Sequence, residues 1–336
     1  MNTFPEPKNI LIVIGSEGFM GSRFIDQIWN TQPEKIFLVD PKLKRTYNSF
    51  LQKKISNNTS LGKCLESINV YFSSRKSLRA KYKIIIVNFG GVTRKGKYKN
   101  DFEESLKFNT NTEIAVEICH LIGNLLNINQ VQKILMLQAS TNGLFVKDQL
   151  SGYEYSKLAQ EHILKSFTSF TIEGRLYLVI FRLCDVYGDI NYHEDKVVNQ
   201  LVSKAKLCLT LPYLDKKIDY NPIHVDFVVL NLVQIVFEFL DENLDKQISL
   251  FKYKPKLVFK LKSIQKFALS LNKGDVEKFL IYWSVFSSAK FRFYLLLIQS
   301  KLFLFLKKQS FQDRNFLVVY DKTKFLSWIK KEVLNG

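Results

Sequence analysis

The sequence predicts an α/β protein built on a doubly wound parallel sheet, with a smaller lobe formed by the C-terminal part of the chain. Short aliphatic runs alternate with stretches of helical period, and a glycine-rich turn follows the first run directly. The composition is that of a globular protein, with 46% hydrophobic and 24% charged residues in 336. That length buries sizeable cores and that apolar fraction excludes a disordered chain, while 14 glycines and 7 prolines exclude a collagen-like one.

Taken in order, the runs Ile10–Ile14, Ile36–Val39, Val70–Phe72, Ile84–Val87, Ile134–Leu137 and Leu176–Phe181 each have the length and the aliphatic or β-branched content of a buried strand. Between the first two, Met20, Phe24, Ile25, Ile28 and Trp29 fall at helical spacing, which predicts a helix over Phe19–Trp29. Similar stretches run from Ile114 to Leu126 and from Leu158 to Phe167. Such alternation argues for parallel strands covered by helices on both faces. It weakens after about residue 188, so residues 1–188 are expected to form the main domain and 189–336 the smaller lobe, with some later segments returning to the first.

The turn after the first strand is Gly15-Ser16-Glu17-Gly18-Phe19-Met20-Gly21. In a strand–turn–helix setting the first glycine permits the turn, the second admits a pyrophosphate close to the backbone, and the third lets helix and strand pack closely. The helix start, with Phe19 and Met20, then offers free N–H groups to phosphates. The second strand ends in Asp40, where a carboxylate accepts hydrogen bonds from the adenosine ribose and repels a 2′-phosphate. Together these residues predict a dinucleotide site that prefers NAD to NADP, although Lys42, Lys44 and Arg45 lie close by.

Lysines and arginines outnumber acidic residues to give a net charge of +18. They are spread along the chain without an Arg-rich block or an RNA-binding signature, so the charge reports bulk composition and no nucleic-acid partner is expected. Cys64, Cys119, Cys184 and Cys208 never form a Cys-x-x-Cys pair and the four histidines are widely spaced, which predicts neither a disulfide framework nor a metal site. The start of the chain does not resemble a signal peptide, so a cytoplasmic protein is expected. Phe291–Leu306 is interrupted by Arg292, Gln299, Ser300 and Lys301, well short of the roughly 18 to 20 apolar residues of a spanning helix. It is read as a helix or helix pair packed on the second lobe, with peripheral membrane contact as the alternative.

Tyr153 and Lys157 are four apart and share one face of a helix, downstream of the strand Ile134–Leu137 and the adjacent hydroxyls Ser140 and Thr141. A phenol with an ordinary pKa of about 10 is a poor base at neutrality, and a neighbouring ammonium lowers that value by stabilising the phenolate. Tyr153 is the candidate acid/base and Lys157 its partner.

This ordered set, the spaced glycines, Ser140/Thr141 and Tyr153-x-x-Ser156-Lys157-x-x-x-Glu161, resembles the extended short-chain dehydrogenase/reductase family, specifically its NAD-dependent epimerase/dehydratase branch. Further matches are Asn109, placed like the family's asparagine ahead of a helix, Phe181-Arg182-Leu183-Cys184-Asp185-Val186-Tyr187-Gly188, and Ile223-His224-Val225-Asp226. The resemblance spans residues 9 to about 235. It implies a Rossmann-type fold, NAD as cofactor, a nucleotide-activated sugar as substrate, a possible homodimer through the helix bearing Tyr153, and cofactor contacts from Asn88, Gly90, Asn109, Tyr153 and Lys157. Thr141 would hold the reacting oxygen, chosen over Ser140 by its spacing to Leu144-Phe145, which are similar to the family's Val-Tyr.

Three departures matter. Asn88-Phe89-Gly90-Gly91 stands where the family has His-x-Ala-Ala, and Ser73-Ser74, after the expected third strand, stands where an acidic residue commonly meets adenine. Thr141 is followed by Asn142-Gly143, whereas the 4,6-dehydratases have an Asp-Glu acid and base pair there. Neither Asn nor Gly transfers that proton, so dehydration is disfavoured. An epimerase that oxidises and re-reduces a sugar hydroxyl is the leading expectation. A reductase or dehydrogenase of a related substrate is the second, and a non-enzymatic dinucleotide-binding protein with a basic surface for membrane or RNA is the third.

Overall fold

The computed structural model describes residues 8–43, 49–75, 80–92, 101–146, 150–171, 174–188, 219–220, 222–244, 246–252, 254–255, 259–260, 317–318, 329 and 331. The stretch Phe291–Leu306 and the residues Lys44, Arg45, His193 and Cys208 lie outside them. By its contacts the chain divides into two compact units, Met1–Leu183 with Asp226–Lys252, and Cys184–Val225 with Tyr253–Gly336.

In the first unit, β1 (Lys8–Ile14), β2 (Lys35–Val39), β3 (Ile55–Asn58), β4 (Tyr82–Asn88), β5 (Val131–Thr141), β6 (Leu176–Leu183) and a last strand, Ile248–Lys252, form one seven-stranded sheet. Its order is last strand, β6, β5, β4, β1, β2, β3, and every neighbouring pair is parallel. The order therefore reverses between β1 and β4, and the carboxyl ends flanking such a switch are where open α/β sheets bind ligands. The central strands are buried on both faces, so they read as continuous aliphatic runs without alternation.

The covering helices are α1 (Phe19–Ile28), α2 (Ser49–Lys54), α3 (Leu61–Ser73), α4 (Asp101–Leu126), α5 (Gly143–Val146) and α6 (Gly152–Ser169), followed later by α7 (Val225–Leu240). Helix α1 matches its expected span to one residue, since Trp29 begins a single 3₁₀ turn. It inserts Phe24, Ile25 and Ile28 into the core, each contributing roughly 2 kcal/mol of apolar burial. Helices α4 and α6 begin well before the periodic stretches that predict them.

Val70–Phe72, expected as a strand, is the last turn of α3. Its apolar residues continue a helical stripe of Leu61, Cys64, Ile68, Tyr71 and Phe72, capped by the Ser60 hydroxyl, which accepts from Lys63 N–H at 3.3 Å. Val70 points outward at 71% exposure, as a helical position does and a central strand position does not. The third strand is the more polar Ile55–Asn58, so the end of β3 is Asn58-Thr59 and not Ser73-Ser74.

In the second unit, β7 (Asp185–Tyr187) pairs in parallel with β9 (Pro222–His224), and β8 (Asp219–Tyr220) pairs with Phe259–Lys260. Two segments singled out by the family resemblance thus adjoin: the Tyr187 ring stands edge-on to His224 at 5.0 Å. No helix among the described residues is long and apolar enough to cross a membrane.

Candidate active site

The glycine turn is built from backbone packed against backbone. Gly15 has φ of 75°, and a Cβ there would lie 2.7 Å from the Gly90 nitrogen, so the β1 turn and the β4 turn touch with no room for a side chain. At Gly21 a Cβ would run into the Gly15 carbonyl, which is how α1 comes to pack close to β1. Gly18 is the N-cap of α1 and makes no side-chain cap hydrogen bond, so this helix start has no cap of the kind that Ser or Asp would give. Phe19 is buried and Met20 half-buried at the helix start.

Two further features fit a dinucleotide. The Ser16 hydroxyl is buried in this turn without a hydrogen-bond partner. Asp40, at the end of β2, accepts from the Glu17 N–H at 3.1 Å and the Lys42 N–H at 2.9 Å, which fixes its carboxylate at the edge of the turn.

Helix α6 carries the candidate chemistry. Its buried positions are Glu154, Ser156, Lys157, Gln160, Glu161, Leu164 and Thr168, a mostly polar face laid on the sheet. Tyr153 is half-buried with its ring 5.7 Å from Phe108 of α4, and Lys157 Nζ lies 6.0 Å from the centre of that phenol ring. Lys157 is 6% exposed, and burial pushes its pKa down to about 8. The structure thus brings the predicted pair together, with the ammonium's pKa lowered by its burial.

The two candidate hydroxyls differ. Ser140 is buried and donates to Glu161 Oε1 at 2.7 Å, while Arg182 grips both oxygens of the same carboxylate at 2.6 and 2.5 Å. Burial alone would push the Glu161 carboxyl up, but the hydrogen bonds from Arg182 and Ser140 and the Arg182 charge outweigh it and hold it below the usual range. Ser140 is therefore committed to anchoring α6. Thr141 is half-buried at the very end of β5, and its oxygen accepts from the Gly143 N–H at 3.1 Å.

The turn Asn142-Gly143 is closed by Glu154, whose Oε1 would lie 2.9 Å from a Cβ at position 143. The same carboxylate accepts from the Ser151 N–H at 2.8 Å and meets the Ser151 hydroxyl, completing the capping box of α6.

Asn109 lies inside α4, not ahead of a helix as its resemblance implied, and its side chain is exposed. The asparagine that α4 turns inward is Asn111, fully buried, which accepts from Val92 N–H at 2.7 Å and donates to Ser156 Oγ at 2.9 Å. Sequence reasoning passed over Asn111 and Gln160. Asn111 shares a stripe with the buried Ala115, Ile118, Ile122 and Leu125, and a polar residue in an apolar stripe is the signal that could have found it. Asn88 is fully buried and its Oδ1 accepts from the Gly90 N–H at 2.9 Å, so the β4 turn is braced from below. No group of three or more metal-ligating side chains is present among the described residues.

Comparison with known proteins bears on the fold and the family. No curated protein matches the chain by sequence. Its fold is similar to UDP-glucose 4-epimerase from Thermotoga maritima, solved with UDP-glucose (TM-score 0.54, 18% identity, covering 79% of this chain and 82% of that one). It is also similar to UDP-N-acetylglucosamine 4-epimerase from Bacillus cereus (0.53, 15%, 79% and 82%). A third similar structure is dTDP-glucose 4,6-dehydratase from Bacillus anthracis in complex with NAD (0.54, 17%, 79% and 81%). A sequence model of the NAD-dependent epimerase/dehydratase family matches residues 11–226. With a glycine turn, an acidic strand end and a Tyr–Lys helix in place on a seven-stranded parallel sheet, the chain belongs to the NAD-dependent epimerase/dehydratase family, whose cofactor is NAD.

Proposed function

We propose that this chain is a nucleotide-sugar epimerase that works by transient oxidation of a sugar hydroxyl, with Tyr153 as acid/base. The observation that carries the reading is the approach of Lys157 Nζ to the Tyr153 ring on α6, with Thr141 at the end of β5 followed by Asn142-Gly143, a turn that itself supplies no acid/base pair. Gly15, Gly18 and Gly21 with the α1 N-terminus would hold the pyrophosphate of NAD, Asp40 the adenosine ribose, and Lys157 the nicotinamide ribose. Asn88, Gly90 and Asn109 would complete the cofactor contacts. Bound NAD supplies a hydride acceptor that becomes the donor for the return step.

The protein's own part is proton handling and positioning. Thr141 holds the sugar oxygen, and Tyr153 as phenolate takes its proton when the carbon is oxidised. The Lys157 ammonium favours that phenolate through its charge. Tyr153 returns the proton when the carbon is reduced on its other face, so the cycle consumes no net proton and no net hydride. The neutral Asn142-Gly143 turn supports epimerisation over dehydration. The thiols of Cys64 and Cys119, not joined in a disulfide, fit a cytoplasmic setting, and the exposed Val116 of α4 and Tyr155 of α6 fit a homodimer.

The test is a panel of nucleotide sugars offered to the purified protein and to Tyr153→Phe, with the bound nucleotide identified. The expected result is an isomerised sugar with no net change in nicotinamide absorbance, and a loss of roughly a thousandfold in Tyr153→Phe. Stoichiometric consumption of the cofactor would instead establish a reductase.

A further inference from the structure

The Lys157 ammonium, buried under the Tyr153 ring, is met by a chain of side-chain amides. Lys157 Nζ donates to Gln160 Oε1 at 3.0 Å, and Gln138 Nε2 donates to the same oxygen at 3.4 Å. Gln138 Oε1 in turn accepts from Asn88 Nδ2 at 2.9 Å, and Asn88 Oδ1 accepts from the Gly90 N–H at 2.9 Å. Gln160 Nε2 donates to the Asn111 carbonyl. All three amide side chains are fully buried, on β4, β5 and α6.

The direction of this chain is set by chemistry. An ammonium only donates and a carbonyl only accepts, so the oxygen of Gln160 must face Lys157 and its nitrogen must face Asn111. At the other end the Gly90 N–H only donates, so the Asn88 oxygen must face Gly90 and its nitrogen must face Gln138. The two ends agree on one orientation of Gln138 between them. A buried network whose members are all satisfied and mutually oriented fixes positions, and losing one member strands the others.

We propose that Gln160 is the positioning residue for Lys157, and that through Gln138 and Asn88 it locks the ammonium to the β4 turn and keeps it protonated against Tyr153. The proposal rests on the assignment of Lys157 to the proton chemistry and not on the sugar. Its support is the surroundings of Lys157. On α6 its Nζ lies 6.0 Å from the centre of the Tyr153 ring. After β4 a Cβ on Gly91 would stand 3.2 Å from Nζ and 2.6 Å from the Asn111 side-chain oxygen, so neutral groups border the ammonium there, and from β5 the neutral Gln138 reaches it only through Gln160. The nearby Glu161 carboxylate is taken by Arg182 and Ser140. Burial is the cause of the lowered Lys157 pKa, and no carboxylate offsets it, so the Gln160 oxygen is the acceptor that keeps the charge on the lysine.

The test compares the full-length protein with Gln160→Glu and Gln160→Met, the second close in shape but with no acceptor or donor. Lys157 is titrated by NMR of lysine labelled at Cε, its resonance assigned by its loss in Lys157→Met. The same proteins are assayed for turnover against pH. In the wild type Lys157 should titrate near 8. In Gln160→Met it should fall by about one pH unit and in Gln160→Glu rise by at least about one, with the alkaline limb of turnover moving the same way. A wild-type Lys157 that titrates at the ordinary 10.5 overturns the proposal whatever the variants do. So does either variant, folded as judged by circular dichroism, with an unshifted lysine. Because the titration needs no sugar, shifts without any sugar turnover would uphold Gln160 and sink the epimerase reading, and turnover without shifts would do the reverse.

Discussion

Helices α1 and α6 both lie on the parallel sheet of the first unit, yet they bury opposite kinds of surface. The inner face of α1 is Phe19, Phe24, Ile25 and Ile28 with two small residues, Gly21 and Ser22. That of α6 has one aliphatic residue, Leu164, among six polar or charged ones. The difference follows from what each offers a ligand. α1 presents backbone N–H groups at its N-terminus, which are there whatever its side chains are, so its inner face is free to be core. α6 presents side chains, and a lysine or glutamate inside a fold must be paired or hydrogen-bonded on every side. Stability is therefore placed under the dinucleotide loop and spent under the Tyr–Lys pair.

The largest effects should come from breaking each helix at its deepest contact, Phe24→Ala on α1 and Glu161→Gln on α6. Each should cost about 3–5 kcal/mol, the first by leaving a cavity and the second by leaving Arg182 buried without its charge partner. Their pH dependence separates them. The Glu161 carboxyl is held below its usual 4.5 in the folded protein, so its contribution is whole above that value and is lost as pH falls through the folded pKa. Denaturant titrations should show the Glu161→Gln deficit shrinking in acid while the Phe24→Ala deficit does not follow that carboxyl. Equal pH profiles would mean that α6 is held by packing, as α1 is.

The same contrast decides what could be read from the sequence. The face of α1 announces itself because Phe24, Ile25 and Ile28 repeat at helical spacing beside a glycine turn with its own chemistry. Lys157 and Tyr153 were legible as a spaced pair, and the resemblance to a known family added Glu161 and Arg182. Gln160 was not legible, since a glutamine between a lysine and a glutamate reads as a solvated position until the fold places it on the sheet. Asn109 drew attention away from Asn111 because a helix start cannot be located when the apolar stripe begins only at Ile114. Val70–Phe72 imitated a strand because three apolar residues in a row fit either period, and only the longer stripe from Leu61 resolves them. Ile55–Asn58 escaped notice because this short edge strand contains little but Ser and Asn after Ile55.

An intermediate effect should have the opposite sign. Lys157 titrates near 8 in the folded protein against 10.5 ordinarily, so below about 8 the fold carries the full penalty of a buried ammonium. The unfolded chain binds the extra proton between those values, so stability rises with pH across that window. Lys157→Met should abolish turnover and yet raise stability at pH 7, by up to about 3 kcal/mol, with the gain closing as pH approaches 10.5. A Lys157→Met protein less stable than wild type at neutral pH would show that the Gln160 amide more than offsets the cost of the charge.

The smallest effect concerns the two helix starts. α6 closes its own first turn with Ser151 and Glu154, whereas α1 begins at Gly18 with no side-chain cap. Ser151→Ala should cost about 1 kcal/mol, a few degrees in melting temperature at most, and the cost should be the same with and without NAD. The start of α1 should behave differently, because its cap arrives with the ligand. Hydrogen exchange at the backbone amides of Phe19, Met20 and Gly21 should slow when NAD is added, while the first turn of α6 keeps its rate. Equal slowing at both starts would mean that the cofactor tightens the whole sheet, and that the open end of α1 is not where its phosphates sit.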